Sequence, residues 1–281
     1  MNDIVLKRFF TKSTIEGLVT GKSSDFVDCV VRRYIDEPDG RSYRELISEI
    51  YVHISKEYRM EYFYKNTLLN KLLFLRHDYK TTSVLTELPI GKAKADFIMI
   101  NGRGEVYEIK TERDNLSRLN EQIGEYYKAF SLVNVVTYPE NVERVIKLVP
   151  EYVGIIELTK HDAIKTVRRP KKFSDMLDAE VIFKILRKHE YEKLLLENGF
   201  NLPAVSQFAY YKECLNLMCL ISVQKLQKQM LKELKKRVRI ETVENCLKTQ
   251  DELRFLTYFD KKKLMKEDVL NPVLSQRFGG K

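Results

Sequence analysis

The 281 residues carry a net charge of +9, with 44% hydrophobic and 32% charged side chains, and a pI near 9.1. That apolar content suffices for one large core or two small ones and excludes an intrinsically disordered chain. The basic balance favours polyanionic partners such as nucleic acid.

Four cysteines, Cys29, Cys214, Cys219 and Cys246, lack CxxC spacing and nearby histidines. They read as thiols of a reducing compartment, neither a zinc site nor a disulfide frame. No secretory apolar region opens the chain, and no apolar run reaches the roughly 20 residues that span a bilayer. A cytoplasmic protein with no membrane partner is the expectation.

In chain order, residues 1 to 59 read as a helical region. Apolar spacing predicts a helix over Asp25–Tyr34, Glu37-Pro-Asp-Gly a turn, and Ser42 with Glu45 a capped helix reaching Tyr58. A second helix is predicted over Glu61–Arg76, with a leucine-rich face. Strand periodicity follows at Ser83–Leu88, Ala95–Ile100 and Val106–Lys110, bounded by Pro89-Ile-Gly and Asn101-Gly. A helix over Leu116–Phe130 leads to the buried-strand pattern Leu132–Thr137. A helix over Glu140–Leu148, a strand at Val153–Leu158 and an edge strand at Ala163–Arg168 complete this part. The order α-β-β-β-α-β-α-β predicts a mixed sheet with helices on its faces. From Phe173 onwards the pattern is helical. Three regions are expected: an N-terminal helical region at 1–59, a core at 60–169, and a C-terminal helical lobe at 170–281.

The segment Lys94–Lys110 sets Asp96, Glu108 and Lys110 on otherwise apolar strands. Glu108 and Lys110 share a face, being two apart. Asp96 joins them only if paired residue numbers on the two strands have an even total. A two-residue turn at Gly102-Arg103 gives an odd total, whereas a Gly102-Arg103-Gly104 loop with a left-handed Gly104 gives an even one. In the even register, Asp96 and Glu108 can ligate Mg²⁺ or Mn²⁺, with the Ile109 carbonyl as a further oxygen. Lys110 can then orient or deprotonate the attacking water. The plainer reading is a surface hairpin with a cross-strand Asp–Lys pair. On the next helix, Gln122 and Tyr126 stand four apart and share a face, placed to hold a water, a phosphate or the strand being cut.

Asp96 … Glu108-x-Lys110 followed by Gln122-x-x-x-Tyr126 resembles the PD-(D/E)XK nuclease superfamily, in its RecB-like branch with the QxxxY helix. The phrases TELPIGKAKADFIMING, VYEIKTERDNLSRL and QIGEYYKAF are similar to a mostly uncharacterised bacterial family with that core. The resemblance covers roughly residues 61–158. It departs from the superfamily's name in having Ala95 where a proline can precede the aspartate. The resemblance implies a restriction-endonuclease-like αβββαβ core, Asp96 and Glu108 on the metal, and Lys110 as the catalytic lysine. It also implies a glutamate on the helix before the sheet. Glu61 is the choice for that role, with Glu49 behind it, Glu87 as a competitor, and Lys65 or Asn66 lining the same cleft.

Lys225–Arg239 carries seven Lys or Arg against one Glu, on a helix whose Leu226, Met230, Leu234 and Val238 recur every four residues. Lys225, Lys228 and Lys232 could track a phosphate backbone, as could Arg168, Arg169 and Lys65; a merely solvated helix face is the plainer reading. The four histidines have no metal-ligating spacing. The expectation is a Mg²⁺- or Mn²⁺-dependent hydrolase of DNA phosphodiesters, with RNA left open and a second copy or an accessory protein as further partners. The alternatives are a nucleic-acid-binding module that does not cut and a partner-recruiting protein.

Overall fold

The computed structural model describes residues 3–22, 24–57 and 59–279. Five helices come first: α1 (Asp3–Phe9), α2 (Lys12–Val19), α3 (Ser24–Tyr34), α4 (Tyr43–Glu57) and α5 (Glu61–Leu68), the last running on as a π-helical turn over Leu69–Phe74. Strands β1 (Ser83–Ile90), β2 (Ala93–Asn101) and β3 (Arg103–Lys110) follow, then α6 (Leu119–Tyr127), β4 (Leu132–Thr137), α7 (Val142–Leu148), β5 (Gly154–Leu158) and β6 (Ile164–Arg168). Helices close the chain: α8 (Ala179–Ile185), α9 (Lys188–Glu197), α10 (Gln207–Met218), α11 (Val223–Lys235), α12 (Ile240–Leu247), α13 (Arg254–Tyr258) and α14 (Glu267–Leu274). The expected helix end at Tyr58 lies outside the described residues.

Packing divides the chain into two units, one of residues 1–80 with 239–281, the other of residues 81–238. The expected boundaries at 59/60 and 169/170 therefore shift. The C-terminal helices do not form one lobe: α8–α11 belong to the sheet's unit and α12–α14 to the unit of α1–α5.

The second unit is built on a single six-stranded sheet in sequential order. The β1–β2, β2–β3 and β5–β6 pairs are antiparallel, and β3–β4 and β4–β5 are parallel. The parallel pairs are the ones joined through α6 and α7, as crossover geometry requires. Every residue of β4 is buried, which explains its unbroken apolar run. Helices α6, α7, α8 and α11 pack on the strands. With α9 and α10 they enclose one core that includes Ile98, Val106, Val133, Ile155, Phe183 and Met230.

In the other unit, Ser42 and Glu45 cap α4 reciprocally. The Ser42 N–H donates to Glu45 Oε2 at 2.8 Å, and the Glu45 N–H donates to Ser42 Oγ at 3.3 Å. Among the described residues, no helix is long and apolar enough to cross a membrane.

Candidate functional site: an acid–lysine–amide network on the sheet

The β2–β3 ladder pairs Phe97 with Tyr107 and Ile98 with Val106 and closes Asn101 on Arg103 around Gly102. The totals are even, so one further step along this register sets Asp96 opposite Glu108. The turn differs from the expected loop. Gly102 takes the left-handed conformation, at φ 68°, and Gly104 lies inside β3. A Cβ on Gly104 would stand 2.5 Å from Leu231 Cδ2 and 2.8 Å from Phe130 Cδ1. This glycine serves the close approach of α11 to the sheet rather than the turn.

The β1–β2 pairing adds an irregularity at the site. Pairs Thr86–Phe97 and Leu88–Ala95 flank Glu87 and Asp96, which stand opposite each other. Leu85 and Ile98 on one side of that point, and Leu88 and Ala95 on the other, all contact the same core. Strict alternation forbids this, so the side-chain faces exchange at Glu87 and Asp96. Glu87 accommodates the exchange with φ 56°, a conformation seldom taken by a residue with a side chain. Glu87 and Asp96 thereby bring carboxylate oxygens within 4.8 Å of each other, and Lys94 forms an ion pair with Glu87.

Asp96 Oδ2 accepts the Ile109 N–H at 2.8 Å. At Ile109 the structure thus shows an amide donor turned to the aspartate. On β3, Glu108 is 1% exposed and Lys110 8%. Lys110 Nζ donates to Glu108 Oε1 at 2.8 Å and to Gln122 Oε1 at 2.9 Å. Tyr126 donates to Glu108 Oε2 at 2.6 Å, with the Lys94 carbonyl 3.0 Å from its hydroxyl. Burial, and then the neighbouring Glu108 charge, pushes the Tyr126 phenol well above its ordinary pKa, so it remains a proton donor to the carboxylate.

The sequence-predicted Asp96, Glu108, Lys110, Gln122 and Tyr126 are thus joined within one unit. Helix α6 supplies the last two because Gln122 and Tyr126, one turn apart, both face β3. Thr137 and Asn141, which sequence reasoning passed over, fix the end of that strand. Thr137 Oγ1 donates to the Lys110 carbonyl at 2.9 Å, and Asn141 Nδ2 to Thr137 Oγ1 at 2.9 Å. Their signal was a polar pair at the end of an apolar strand. Glu125 was also missed. It accepts the Lys92 N–H of the β1–β2 turn at 2.9 Å and pairs with Lys128 at 2.6 Å.

The remaining expected residues belong to other elements. Glu61 begins α5 in the first unit, 2.5 Å from Lys65. Lys65 itself is 6% exposed, which removes it from the set of surface phosphate contacts. Asn66 is a buried joint rather than a cleft residue. Its Nδ2 donates to the Tyr51 hydroxyl at 2.9 Å and the Asp251 carbonyl at 3.0 Å, and its Oδ1 accepts the Phe255 N–H at 3.0 Å. Arg168 is likewise committed, donating to the carbonyls of Val153 at 2.7 Å and Pro150 at 2.9 Å, so a backbone-contact role is corrected to a structural one. Arg169 is exposed. Lys225, Lys228 and Lys232 are exposed along one side of α11, opposite buried Leu226, Met230 and Leu234.

Fold and site define a mixed α/β protein whose six-stranded sheet carries a buried carboxylate–lysine–glutamine network beside two converging acids. Residues 54–256 match the family described as bacteriophage P4 protein cII, and the chain belongs to that family. Protein cII of Enterobacteria phage P4 is 24% identical over 199 residues, 69% of this chain and 69% of that protein. A solved protein of unknown function from Silicibacter pomeroyi aligns with 15% identity and a TM-score of 0.29, covering 43% of this chain and 82% of its own.

Proposed function

We propose that the chain is a metal-dependent nuclease that hydrolyses DNA phosphodiester bonds, with the sheet and its leading helix forming a restriction-endonuclease-like core. One observation carries the reading. Lys110 Nζ is held between Glu108 and Gln122, while Tyr126 holds the other Glu108 oxygen, on the sheet where Asp96 stands opposite Glu108.

The donor chemistry fits a hard divalent cation such as Mg²⁺ or Mn²⁺, which prefers carboxylate oxygens. Asp96 and Glu108 would hold it. Glu87, whose oxygen approaches Asp96 within 4.8 Å, joins them as a carboxylate of the same unit, and Glu61 keeps the role that the resemblance implies. When bound, such an ion acidifies a water and neutralises charge on the phosphate. The Ile109 N–H fixes the rotamer of Asp96. Gln122 orients Lys110, whose ammonium stabilises charge that develops on the phosphate. Tyr126 keeps Glu108 in place and stays protonated. Arg169, Lys225, Lys228 and Lys232 are proposed contacts to the phosphate chain, and a role in defence, restriction or repair accords with the superfamily's habits.

A second reading, a nucleic-acid-binding module that does not cut, is favoured by the state of Glu108. Both its oxygens already accept hydrogen bonds, and it is 1% exposed.

The test is incubation of the full chain with supercoiled, linear and single-stranded DNA and with RNA, in Mg²⁺, Mn²⁺ or EDTA. Cleavage in either metal, lost in EDTA and in Asp96→Ala and Lys110→Ala chains that still fold, is the expected result. Cleavage surviving both substitutions rules out this site, and binding without cleavage favours the second reading.

A further inference from the structure

A cleft of about 380 Å³ opens on the sheet's unit, within the size range of small-ligand sites. It lies on the side of α6 turned away from Gln122 and Tyr126, where Asn120, Ile123 and Tyr127 recur three and four residues apart. Leu148, Tyr152 and Met176 complete its walls. Gly124 leaves the space open, since a Cβ there would meet only Met176 Cε, at 3.9 Å.

Two features specify what the cleft takes. The first is a flat aromatic wall. Tyr152 stacks on Phe173 at 4.3 Å between centroids and 9° between planes, and Tyr127 meets both rings edge-on. The apolar lip is in water, with Leu148 and Met176 each 39% exposed. Tyr127 itself is 0% exposed, so its ring backs the wall and its hydroxyl is not offered to a ligand.

The second is the rim. Arg168 donates to the Pro150 carbonyl and the Lys171 N–H to the Tyr152 carbonyl, each at 2.9 Å. These bonds seat the run Arg168-Arg-Pro-Lys-Lys172 against the cleft wall. Lys171 reaches Glu151 only at 4.0 Å. Arg169 and Lys172 are exposed, with no acidic partner among the described residues.

A planar ring carried on an anion matches both features. We propose that the cleft receives an unstacked base of single-stranded DNA, with the adjoining phosphate held by Arg169 and Lys172. Bases of a duplex are paired and stacked, so they cannot enter without being extruded; a loose strand offers each base freely. The choice of polymer rests on the nuclease reading, but occupation of the cleft requires no hydrolysis.

The experiment uses the full chain in EDTA with a single-stranded DNA oligonucleotide carrying one 2-aminopurine, and with its duplex. Binding is read by anisotropy and stacking by quenching of 2-aminopurine fluorescence. The single strand is expected to bind with quenching and the duplex without it. Gly124→Leu, which fills the cleft, should weaken single-strand binding about tenfold and abolish quenching. Arg169→Ala combined with Lys172→Ala should weaken binding severalfold while the Tm stays level, which separates lost recognition from lost folding. Binding without quenching, or affinity unchanged in both variants, overturns the proposal. Parallel cleavage assays in Mg²⁺ keep the two readings apart. Quenching without cleavage upholds the cleft and counts against the nuclease, and cleavage without quenching does the reverse.

Discussion

Glu108 and Lys110 are a buried ion pair, and their removal has two separable consequences. Replacing Lys110 by methionine leaves a carboxylate 1% exposed with Tyr126 still donating to it. Breaking such a pair from one side costs about 3–5 kcal/mol. Lys110→Met combined with Glu108→Gln removes both charges and should recover most of that loss. Urea unfolding of the two single variants and the double gives the coupling directly, and strictly additive losses would show that the pair does not act as a unit. The tyrosines make a second expectation at this scale. Burial and the Glu108 charge raise Tyr126, and burial raises Tyr127. Above about pH 10 the unfolded chain loses phenolic protons that the folded chain keeps. Stability is therefore intact below that pH and falls above it, by about 1.4 kcal/mol per pH unit for each such phenol. Unfolding midpoints between about pH 8 and pH 11 should show the decline, with a shallower slope in Tyr126→Phe; a flat profile contradicts it.

At the scale of elements, Gly104 shows what could and could not be read in advance. The strands and the helix behind them follow from short-range periodicity and were legible, whereas the register of β2 on β3 stayed open between an odd and an even pairing. Which glycine turns the chain was not legible, because a left-handed turn and a close helix contact both select glycine. Only the position of Leu231, far along the chain, separates them. The exchange of faces at Glu87 was equally hidden, since it depends on which core Leu85 and Leu88 share. Gly104→Ala should cost about 1–3 kcal/mol by overpacking, as its Cβ would fall 2.5 Å from Leu231 Cδ2. Leu231→Ala in the same chain should offset part of that loss. A Gly104→Ala chain as stable as the parent would mean that α11 does not need this approach.

At the scale of the whole chain, membership of the expected C-terminal lobe turned on contacts that no local pattern reports. Arg168 illustrates the same limit, reading as a free cation in sequence and spending its guanidinium on two carbonyls in the fold. The first unit is assembled from the two ends of the chain, and the join is polar. Asn66, 1% exposed, donates to the Asp251 carbonyl and accepts the Phe255 N–H. Asn70 donates to the same Asp251 carbonyl at 3.1 Å, Tyr62 to the Glu252 carbonyl at 2.5 Å, and Gln250 to the Arg44 carbonyl at 3.0 Å. Ending the chain after Val238 would strip α4 and α5 of these partners and of their packing against residues 251–253 and α13, while the sheet and α6–α11 keep theirs. Limited proteolysis of the shortened chain should therefore cut throughout residues 1–80 and spare 81–238. Asn66→Leu in the full chain tests the same join more gently. It leaves the Phe255 amide without this acceptor, while the Asp251 carbonyl keeps Asn70, a loss of about 1–3 kcal/mol that hydrogen exchange should localise to α4, α5 and α13. Exchange raised equally in the sheet would show that the two units unfold as one.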